Sequence, residues 1–454
     1  MLAEAPSPLN PGAAGDFTGT VMVLLNGYAH IFLIAFIVTL LTTPLARRLA
    51  EWAGVVDRPD KTRKMHEYTV AYFGGLAVFA GILAAIGVSY FSVEDVPTSF
   101  LPVPMAVIIG MLAITYTGLA DDIWGWDPRL KIAGQLVAAA ALAIENVGDR
   151  VAQGLLSPIA PILDPILGTT MLRFEIHTPW GMIPIDTVYW VGTAIIAIFV
   201  LGGSNSANLI DGLDGLLSGV VAIVMLGLLM ISLLMVPDLN ADAVASGQGT
   251  MAGARIVLCL AVFGSVLGFL PYNFRPATIF LGDSGSLLLG YMCAVIILMF
   301  GERGQTHLVF AGLIVYSIPI IDTTLAIIRR KMAGISMSAA DDQHLHHQLK
   351  RALGGVRSAV FALYAMETVF ALVGVVLAAL VLRTGLRVRV IYVIAFVLFS
   401  FIGVIAVKAA RRQQRLKAVE LKIAMKASST PAISAQTDDT ENNPHSAAPV
   451  SSTR

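Results

Sequence analysis

Charged residues are scarce in this sequence. Asp, Glu, Lys and Arg make up 13% of its 454 residues, against about 25% in soluble domains. Hydrophobic residues make up 56%. This composition excludes an ordinary soluble enzyme and indicates an integral membrane protein, for which we predict membrane lipid as a partner and no nucleic acid.

Cysteine and N-terminal basic residues are scarce as well. Cys259 and Cys293 are the two cysteines of the chain, and both lie in apolar stretches, where a thiol behaves as a small hydrophobic group. We therefore predict packing and no redox role. The first 46 residues contain no Lys or Arg, so the basic start of a cleaved signal peptide is missing. The first apolar segment is predicted to remain in the mature chain.

Long hydrophobic stretches are abundant. Eleven of them are long enough to cross a hydrocarbon core of roughly 30 Å. The predicted fold is an all-α integral membrane protein of about eleven transmembrane helices in residues 1–427. From 428 to 454 the chain is rich in Ser, Ala, Thr, Pro, Asp and Asn, which predicts a disordered cytoplasmic tail. The spans begin near Val23, Phe73, Pro104, Leu130, Val188, Leu216, Ala254, Ile279, Leu308, Ala359 and Val390.

The distribution of Lys and Arg predicts the orientation. Basic residues are retained on the cytoplasmic side of a membrane protein. Of the 30 Lys and Arg in the chain, 23 follow odd-numbered spans or lie in the tail. The N-terminus is therefore predicted outside and the C-terminus inside. The one large outer segment lies between spans 4 and 5, and its residues Met171 to Ile176 suggest a short strand in a small hairpin.

Polar residues are concentrated in five stretches, and the predicted topology puts all five on the cytoplasmic side. A shared face is what a single site requires, because unrelated loop polarity would be divided between the two faces. The stretches are Arg63-Lys64-Met65-His66, Asp121-Asp122, Asn208 to Gly215, Gly282 to Ser286, and His344-Leu345-His346-His347.

The acidic stretches suggest a cation site. Asp121 and Asp122 end span 3, where carboxylates are costly unless they are solvated, paired or bound to metal; a solvated cap of the loop is the alternative. Asp283 lies between glycines at the start of span 8, where a backbone can approach phosphate and a helix N-terminus favours anions. An acid fits there when a cation bridges it to the phosphate. A capped tight turn is the alternative for this stretch.

The Asn and Asp residues after span 5 form a regular series. A spacing of three is expected to stack their side chains along one helical face. Helix capping explains one or two of the acids but not the whole series. Its members are Asn205, Asn208, Asp211 and Asp214.

The basic and His-rich stretches suggest binding of phosphate groups. The adjacent histidines His346 and His347 have poor spacing for a zinc site, and binding of a diphosphate through imidazole donors suits them better than zinc or a merely solvated loop. Lys64 and His66, taken alone, are ordinary positive-inside residues.

Several acids beside phosphate groups require hard cations, and Mg²⁺ prefers carboxylates with substrate phosphates. A magnesium-assisted phosphoryl-transfer site is predicted. A secondary transporter or a magnesium channel are the rival classes, but they place acids at the membrane midplane or along a pore.

With these motifs, in this order from His66 to His347, the chain resembles the polyprenyl-phosphate N-acetylhexosamine-1-phosphate transferases of glycosyltransferase family 4. These are multi-spanning enzymes of bacterial cytoplasmic membranes that start cell-envelope polysaccharides and peptidoglycan. The resemblance implies Mg²⁺, with Mn²⁺ as a substitute, and is compatible with a homodimer. The implied reaction joins undecaprenyl phosphate to UDP-GlcNAc, giving undecaprenyl-diphospho-GlcNAc and UMP.

The resemblance also implies roles for individual residues. Asp283 would bind the metal. The peptidoglycan branch resembles His-His-His-Phe-Glu at the last motif, whereas His-Leu-His-His resembles the branch that transfers GlcNAc-1-phosphate, so UDP-GlcNAc is favoured over another UDP-N-acetylhexosamine or UDP-MurNAc-pentapeptide. The implied catalytic residues are Asp121, Asp122, Asp211 and Asp214. The implied substrate-binding residues are Lys64, His66, Asn205, Asn208, His344, His346 and His347.

Overall fold

The computed structural model describes residues 17–57, 69–91, 97, 99–167, 173–178, 181–246, 248–334, 344–384 and 386–428. Within these residues the regular secondary structure is helical apart from two small sheets. The helices are α1 (Phe17–Ala53), α2 (Gly74–Ser89), α3 (Met105–Trp124), α4 (Pro128–Ile144), α5 (Arg150–Leu156), α6 (Ala160–Leu167), α7 (Thr187–Ile210), α8 (Leu216–Ser246), α9 (Ala252–Asn273), α10 (Gly282–Met299), α11 (Thr306–Val315), α12 (Ser317–Ala333), α13 (Leu345–Leu353), α14 (Val356–Thr384) and α15 (Arg389–Ser428).

Both sheets are antiparallel pairs. β1 (Val56–Asp57) pairs with β2 (Val70–Ala71). β3 (Arg173–Thr178) pairs with β4 (Gly181–Asp186) along six residues each. The second pair is the hairpin predicted between spans 4 and 5, and the structure confirms it. The predicted tail lies outside the described residues, except that Ser428 ends α15.

Seven helices in the described part of the chain are long and apolar enough to cross a membrane, or eight if the bent pair α11–α12 is one span. The protein is therefore an all-helical, multi-spanning membrane protein. A helix lies at each of the eleven predicted positions, but α2 and the apolar part of α15 are shorter than a span, and α4 belongs to neither group. The count of eleven stays a prediction. The seven are α1, α3, α7, α8, α9, α10 and α14.

The core is centred on α10, which packs against α2, α3 and α7. The apolar segments of α8, α9 and α10 are largely buried, whereas in those of α1, α7 and α14 only a minority of the residues is fully buried. Cys259 and Cys293 are both buried, which confirms the packing prediction. This arrangement gathers one end of α3, one end of α7 and the start of α10 in one place.

Proline accounts for the break between α11 and α12, which are bent by 80°. Pro319 lies in the first turn of α12. Its ring would clash with the carbonyl group four residues earlier if α11 continued, and that carbonyl belongs to Val315, the last residue of α11. The chain therefore changes direction between Val315 and Ser317.

Candidate active site at the start of helix α10

Asp122 joins the end of α3 to the start of α10. Its carboxylate accepts hydrogen bonds from the backbone N–H groups of Asp283 at 2.7 Å and Ser284 at 3.1 Å. These N–H groups belong to the first turn of α10, which lacks partners within its own helix. The two backbones meet because residue 118 of α3 is glycine: a Cβ atom there would clash with the backbone of Asp283 and Ser284. Asp122 therefore fixes the position of Asp283.

Asp121 and Asp283 share one cation. The Nζ atom of Lys131 lies 2.6 Å from Asp121 Oδ2 and 2.6 Å from Asp283 Oδ2. Lys131 is in the first turn of α4, whose N-terminus is capped by Asp127, with Pro128 in the first position. Sequence reasoning gave Lys131 no role in the site, and its one signal was a lone lysine shortly after the acidic motif.

The second oxygen of Asp283 is bound from α7. Asn208 Nδ2 donates to Asp283 Oδ1 at 2.8 Å and lies 2.9 Å from Ser286 Oγ. Asn205 is turned elsewhere, since its Nδ2 donates to Gln135 Oε1 at 2.7 Å and thereby connects α7 to α4. Asn208 is thus brought to the acids, and Asn205 is not.

The expected stack of Asn and Asp along one helical face is wrong. Helix α7 ends at Ile210, and Asp211 already has non-helical backbone angles. Asp214 lies in the turn that follows, where its Oδ2 accepts a hydrogen bond from Ala277 N at 3.3 Å. Two glycines in the turn explain the break, because glycine is a poor helix former. The series therefore divides into two helical amides and two turn carboxylates.

Asp211 nevertheless remains within the field of the other acids. Loss of water contact, followed by the charges of Asp283, Asp122 and Asp214, raises the pKa of Asp211 to about 8. In its neutral form a carboxyl group is a hydrogen-bond donor, whereas Lys131 and Asn208 hold Asp283 as an acceptor.

The histidine motif begins helix α13 and is oriented by Asp322, a fully buried residue of α12. His344 Nδ1 lies 2.8 Å from Asp322 Oδ2, and the N–H of Leu345 donates to Asp322 Oδ1 at 2.7 Å. One carboxylate thus fixes both the imidazole and the helix start. Sequence reasoning missed Asp322, although an acid in an apolar segment is by itself a functional signal.

His346 brings this motif to the turn after α7. It is 2% exposed, and neither ring nitrogen has a hydrogen-bond partner among the described residues. A Cβ atom on Gly212 would clash with His346 Nε2, so glycine is required for the close approach. The ring of His346 lies parallel to that of His344 at 5.5 Å and 4.3 Å from that of His347. Burial, followed by the charge of His347, lowers the pKa of His346 to about 3, so this imidazole is neutral at pH 7.

Lys64 and His66 lie outside the described residues. The residues on either side of that segment are next to the site: Val55 and Tyr72 are joined by a backbone hydrogen bond of 3.3 Å, and Phe280 N donates to Ala71 O at 2.8 Å. Phe280 leads directly into α10. No assignment for Lys64 or His66 follows from these contacts.

The donor set suits a hard divalent cation. In the described part of the chain, no three His, Cys, Asp or Glu side chains form a group that could hold a metal ion. Mg²⁺ does not require such a group, because it is bound by one or two carboxylates together with water and substrate phosphates. Asp121 and Asp283 are two such carboxylates, already held around one positive charge. The residues therefore fit Mg²⁺ better than a zinc site.

The described residues thus combine membrane helices, paired acids at a helix N-terminus and a buried imidazole whose nitrogens have no hydrogen-bond partner among them. The chain belongs to glycosyl transferase family 4, whose pattern matches residues 104–301. This confirms the family resemblance and makes the protein a transferase. Family membership also decides against the transporter and channel alternatives.

Relatives in three bacteria match most of the chain. It is 32% identical over 381 residues to the probable undecaprenyl-phosphate N-acetylglucosaminyl 1-phosphate transferase of Bacillus subtilis, covering 82% of this chain and 90% of that one. It is 31% identical over 364 residues to the decaprenyl-phosphate N-acetylglucosaminephosphotransferase of Mycobacterium tuberculosis, covering 75% and 80%. It is 27% identical over 389 residues to the undecaprenyl-phosphate alpha-N-acetylglucosaminyl 1-phosphate transferase of Escherichia coli, covering 84% and 92%.

Proposed function

We propose that this protein transfers GlcNAc-1-phosphate from UDP-GlcNAc to undecaprenyl phosphate, giving undecaprenyl-diphospho-GlcNAc and UMP. The observation that carries the proposal is the pair Asp121 and Asp283, held around one cation at the start of α10. The relatives' names support the sugar phosphate and the polyprenyl acceptor. The reaction would be the first membrane step of a cell-envelope polysaccharide such as O-antigen, common antigen or a teichoic acid linkage unit.

In this reaction an oxygen of the lipid phosphate attacks the phosphorus that carries the sugar. The bond from that phosphorus to the bridging oxygen breaks, and the electron pair leaves on UMP. Asp283 and Asp121 would hold Mg²⁺, which when bound neutralises charge on the diphosphate. Asp122 fixes the backbone of Asp283, and Asn208 holds its other oxygen. Alignment and charge neutralisation supply most of the rate gain in phosphoryl transfer.

Asp121 acts by positioning in this scheme. A phosphate monoester has a second pKa of about 6 and is mostly dianionic at pH 7, so the lipid phosphate needs no strong base. Asp121 is instead held by Lys131 beside the metal-binding acid. Burial and the neighbouring acids raise the pKa of Asp211, and in its neutral form this carboxyl group would donate a hydrogen bond to a phosphate oxygen.

The histidine motif is proposed to bind the diphosphate of the donor. His346 has two ring nitrogens without partners among the described residues, and it lies against the turn that carries Asp211 and Asp214. A neutral imidazole donates one hydrogen bond. Asp322 would hold His344 through its Nδ1 atom, which leaves the Nε2 atom for another partner. Donor binding and metal binding would thus lie on neighbouring turns.

We further propose the eleven-span topology, with the N-terminus outside, the C-terminus inside and the site facing the cytoplasm of the bacterial inner membrane. The distribution of Lys and Arg supports it. The hairpin β3–β4 precedes α7, and Asn208 lies near the far end of this 24-residue helix. Such a helix is about 36 Å long, so hairpin and site fit opposite faces of a bilayer.

The proposal is tested by the substrate requirement of the purified protein in detergent. UMP release from UDP-GlcNAc should require both a polyprenyl phosphate and Mg²⁺, with Mn²⁺ as a substitute. UDP-GalNAc and UDP-MurNAc-pentapeptide serve as competing donors, and a better rate with either would reassign the donor. UMP release before lipid is added would indicate a covalent enzyme intermediate. No UMP release with any donor would refute the proposed function.

A further inference from the structure

Glu367 is a carboxylic acid inside a transmembrane helix. It lies in the middle of α14, a 29-residue apolar helix, and is fully buried. Acidic residues at such depth are costly and are retained where they perform a function. The phosphate site described above does not include Glu367, so its presence requires another explanation.

The contact of Glu367 lies at the break between α11 and α12. Its Oε2 accepts a hydrogen bond from the backbone N–H of Ile318 at 3.1 Å. Ile318 is in the first turn of α12, where N–H groups have no partner within the helix. Pro319 carries no N–H, and the N–H of Tyr316 donates to Gly312 O at 3.1 Å. Glu367 therefore caps a helix that starts inside the apolar interior, where no water replaces a missing acceptor.

A second contact holds the same break from the other side. The hydroxyl group of Tyr316 donates to Gly203 O of α7 at 3.1 Å. The start of α12 is thus fixed between α14 and α7. A helix start fixed at two points has a defined position along its own axis.

That position is passed on to the histidine motif. Asp322 lies four residues after Ile318 in α12, which is one turn, or about 6 Å, along the helix. Asp322 holds both His344 Nδ1 and the N–H of Leu345. A shift or rotation of the first turn of α12 would therefore displace Asp322 in the next turn, and with it the imidazole of His344.

We propose that Glu367 is a positioning residue for donor binding: by capping the N-terminus of α12 within the membrane, it fixes Asp322 and through it the histidine motif. The inference rests on the proposed function, because the donor is the UDP-sugar of that reaction. It adds that Glu367, a residue remote from the site, controls binding of the donor. The contacts that lead from Glu367 through Ile318 and Asp322 end at the histidine motif and do not include Asp121 or Lys131.

Three single variants of the full-length protein separate capping from burial. Glu367→Met keeps the length of the side chain and removes the acceptor, whereas Glu367→Gln keeps an acceptor oxygen. Ser232→Ala is the matched control, because Ser232 is equally buried in a transmembrane helix but donates within its own helix, to Leu228 O at 2.8 Å. We expect kcat/KM for UDP-GlcNAc to fall by about tenfold or more in Glu367→Met, equivalent to about 1.4 kcal/mol. The KM for lipid phosphate should change by less than about twofold, the ordinary scatter of a remote substitution at roughly 0.4 kcal/mol.

Glu367→Gln should recover most of the loss, and Ser232→Ala should resemble the wild type. The double variant Glu367→Met/Asp322→Asn should lose no more than the worse of its two single variants, because residues that act through one another are not additive. Equal damage in the Met and Gln variants, equal effects on both substrates, or additive losses would overturn the proposal.

A measurement without substrate keeps this test independent of the proposed function. Spin labels on cysteines that replace Trp124, at the end of α3, and Leu353, at the end of α13, report the distance between these two helices. Both native side chains are exposed, and the two native cysteines are buried and do not react. We expect one narrow distance distribution in the wild type and in Glu367→Gln, and a broadened or shifted one in Glu367→Met. An unchanged distribution in Glu367→Met would refute the positioning role even if the enzyme used another donor. A wild-type protein without turnover but with the expected distances would refute the proposed function alone.

Discussion

Replacing Asp283 by asparagine separates its charge from its shape. Both carboxylate oxygens of Asp283 accept from donors: Oδ2 from Lys131 Nζ at 2.6 Å and Oδ1 from Asn208 Nδ2 at 2.8 Å. An amide has one acceptor oxygen and one NH₂ group. In either orientation, the NH₂ group of the introduced amide would face another donor. The substitution therefore loses at least one of the two hydrogen bonds along with the negative charge.

The expected loss of activity follows from these contacts. The side chain of Asp283 is 24% exposed, so the bond is only partly screened by water. A hydrogen bond to a charged group contributes about 1.5–3 kcal/mol, which corresponds to a loss of roughly tenfold to 150-fold in rate. Loss of a metal-binding charge adds to this. We expect kcat to fall by more than about tenfold and the Mg²⁺ concentration at half-maximal rate to rise, while the protein still purifies as a folded species because Lys131 keeps Asp121 as a partner.

The assay is UMP release across a Mg²⁺ titration, with thermal unfolding in detergent as the measure of folding. Asp127→Asn is the matched control. Asp127 caps α4 by accepting from Arg129 N at 2.8 Å, and asparagine caps helices about as well as aspartate, so this variant should retain its activity. If Asp283→Asn kept more than about a tenth of the wild-type rate, a barrier change under ~1.4 kcal/mol, Asp283 would not be the principal metal ligand.

Cysteines that replace Trp124 and Leu353 should react with reagents confined to the cytoplasm, and a cysteine that replaces Met182 in the hairpin should react with reagents outside, because all three side chains are exposed. Labelling of the first two positions from outside would refute the proposed topology. His346→Ala should impair use of the UDP-sugar more than use of the lipid phosphate, and elemental analysis of the wild type should find no stoichiometric zinc; activity restored by zinc but not by magnesium after chelation would contradict diphosphate binding. His346 has a folded-state pKa of about 3 against an ordinary 6.5, so the unfolded chain takes up a proton that the folded protein does not, and stability should be lost as pH falls below 6.5. Thermal unfolding of His346→Gln should therefore depend less on pH in that range than that of the wild type, and parallel curves would show that the buried imidazole is not the cause.

Helix positions were predictable because apolar runs and their boundaries are local properties. Asp127 caps α4 and Pro128 is its first residue, as capping preferences predict. The number of spans is less local. A 16-residue helix such as α2 and the bent pair α11–α12 depend on neighbouring helices for their burial, and those neighbours are not evident from one stretch of sequence.

The site was predictable in its acids and not in its cations and supports. Asp121, Asp122 and Asp283 were identified by their motifs, and the structure brings them together. Lys131 was missed because its partner Asp283 is 152 residues away, and no spacing rule connects them. The series from Asn205 to Asp214 was misread as one helical face because its regular spacing was given more weight than the glycines within it.

Lys131, which lies between Asp121 and Asp283, determines how the stability of the site depends on the ions around it. Its ammonium group is attached to the chain, so the acids keep a counterion whatever ions the surrounding solution contains. We expect a chelator to stop turnover while leaving the melting temperature nearly unchanged, and added Mg²⁺ to restart the same molecules; a large fall in melting temperature would contradict this. Under the proposed function, scarcity of the ion would then limit the rate of transfer and not the lifetime of the protein, and a starved cell would resume the reaction with the enzyme it already has.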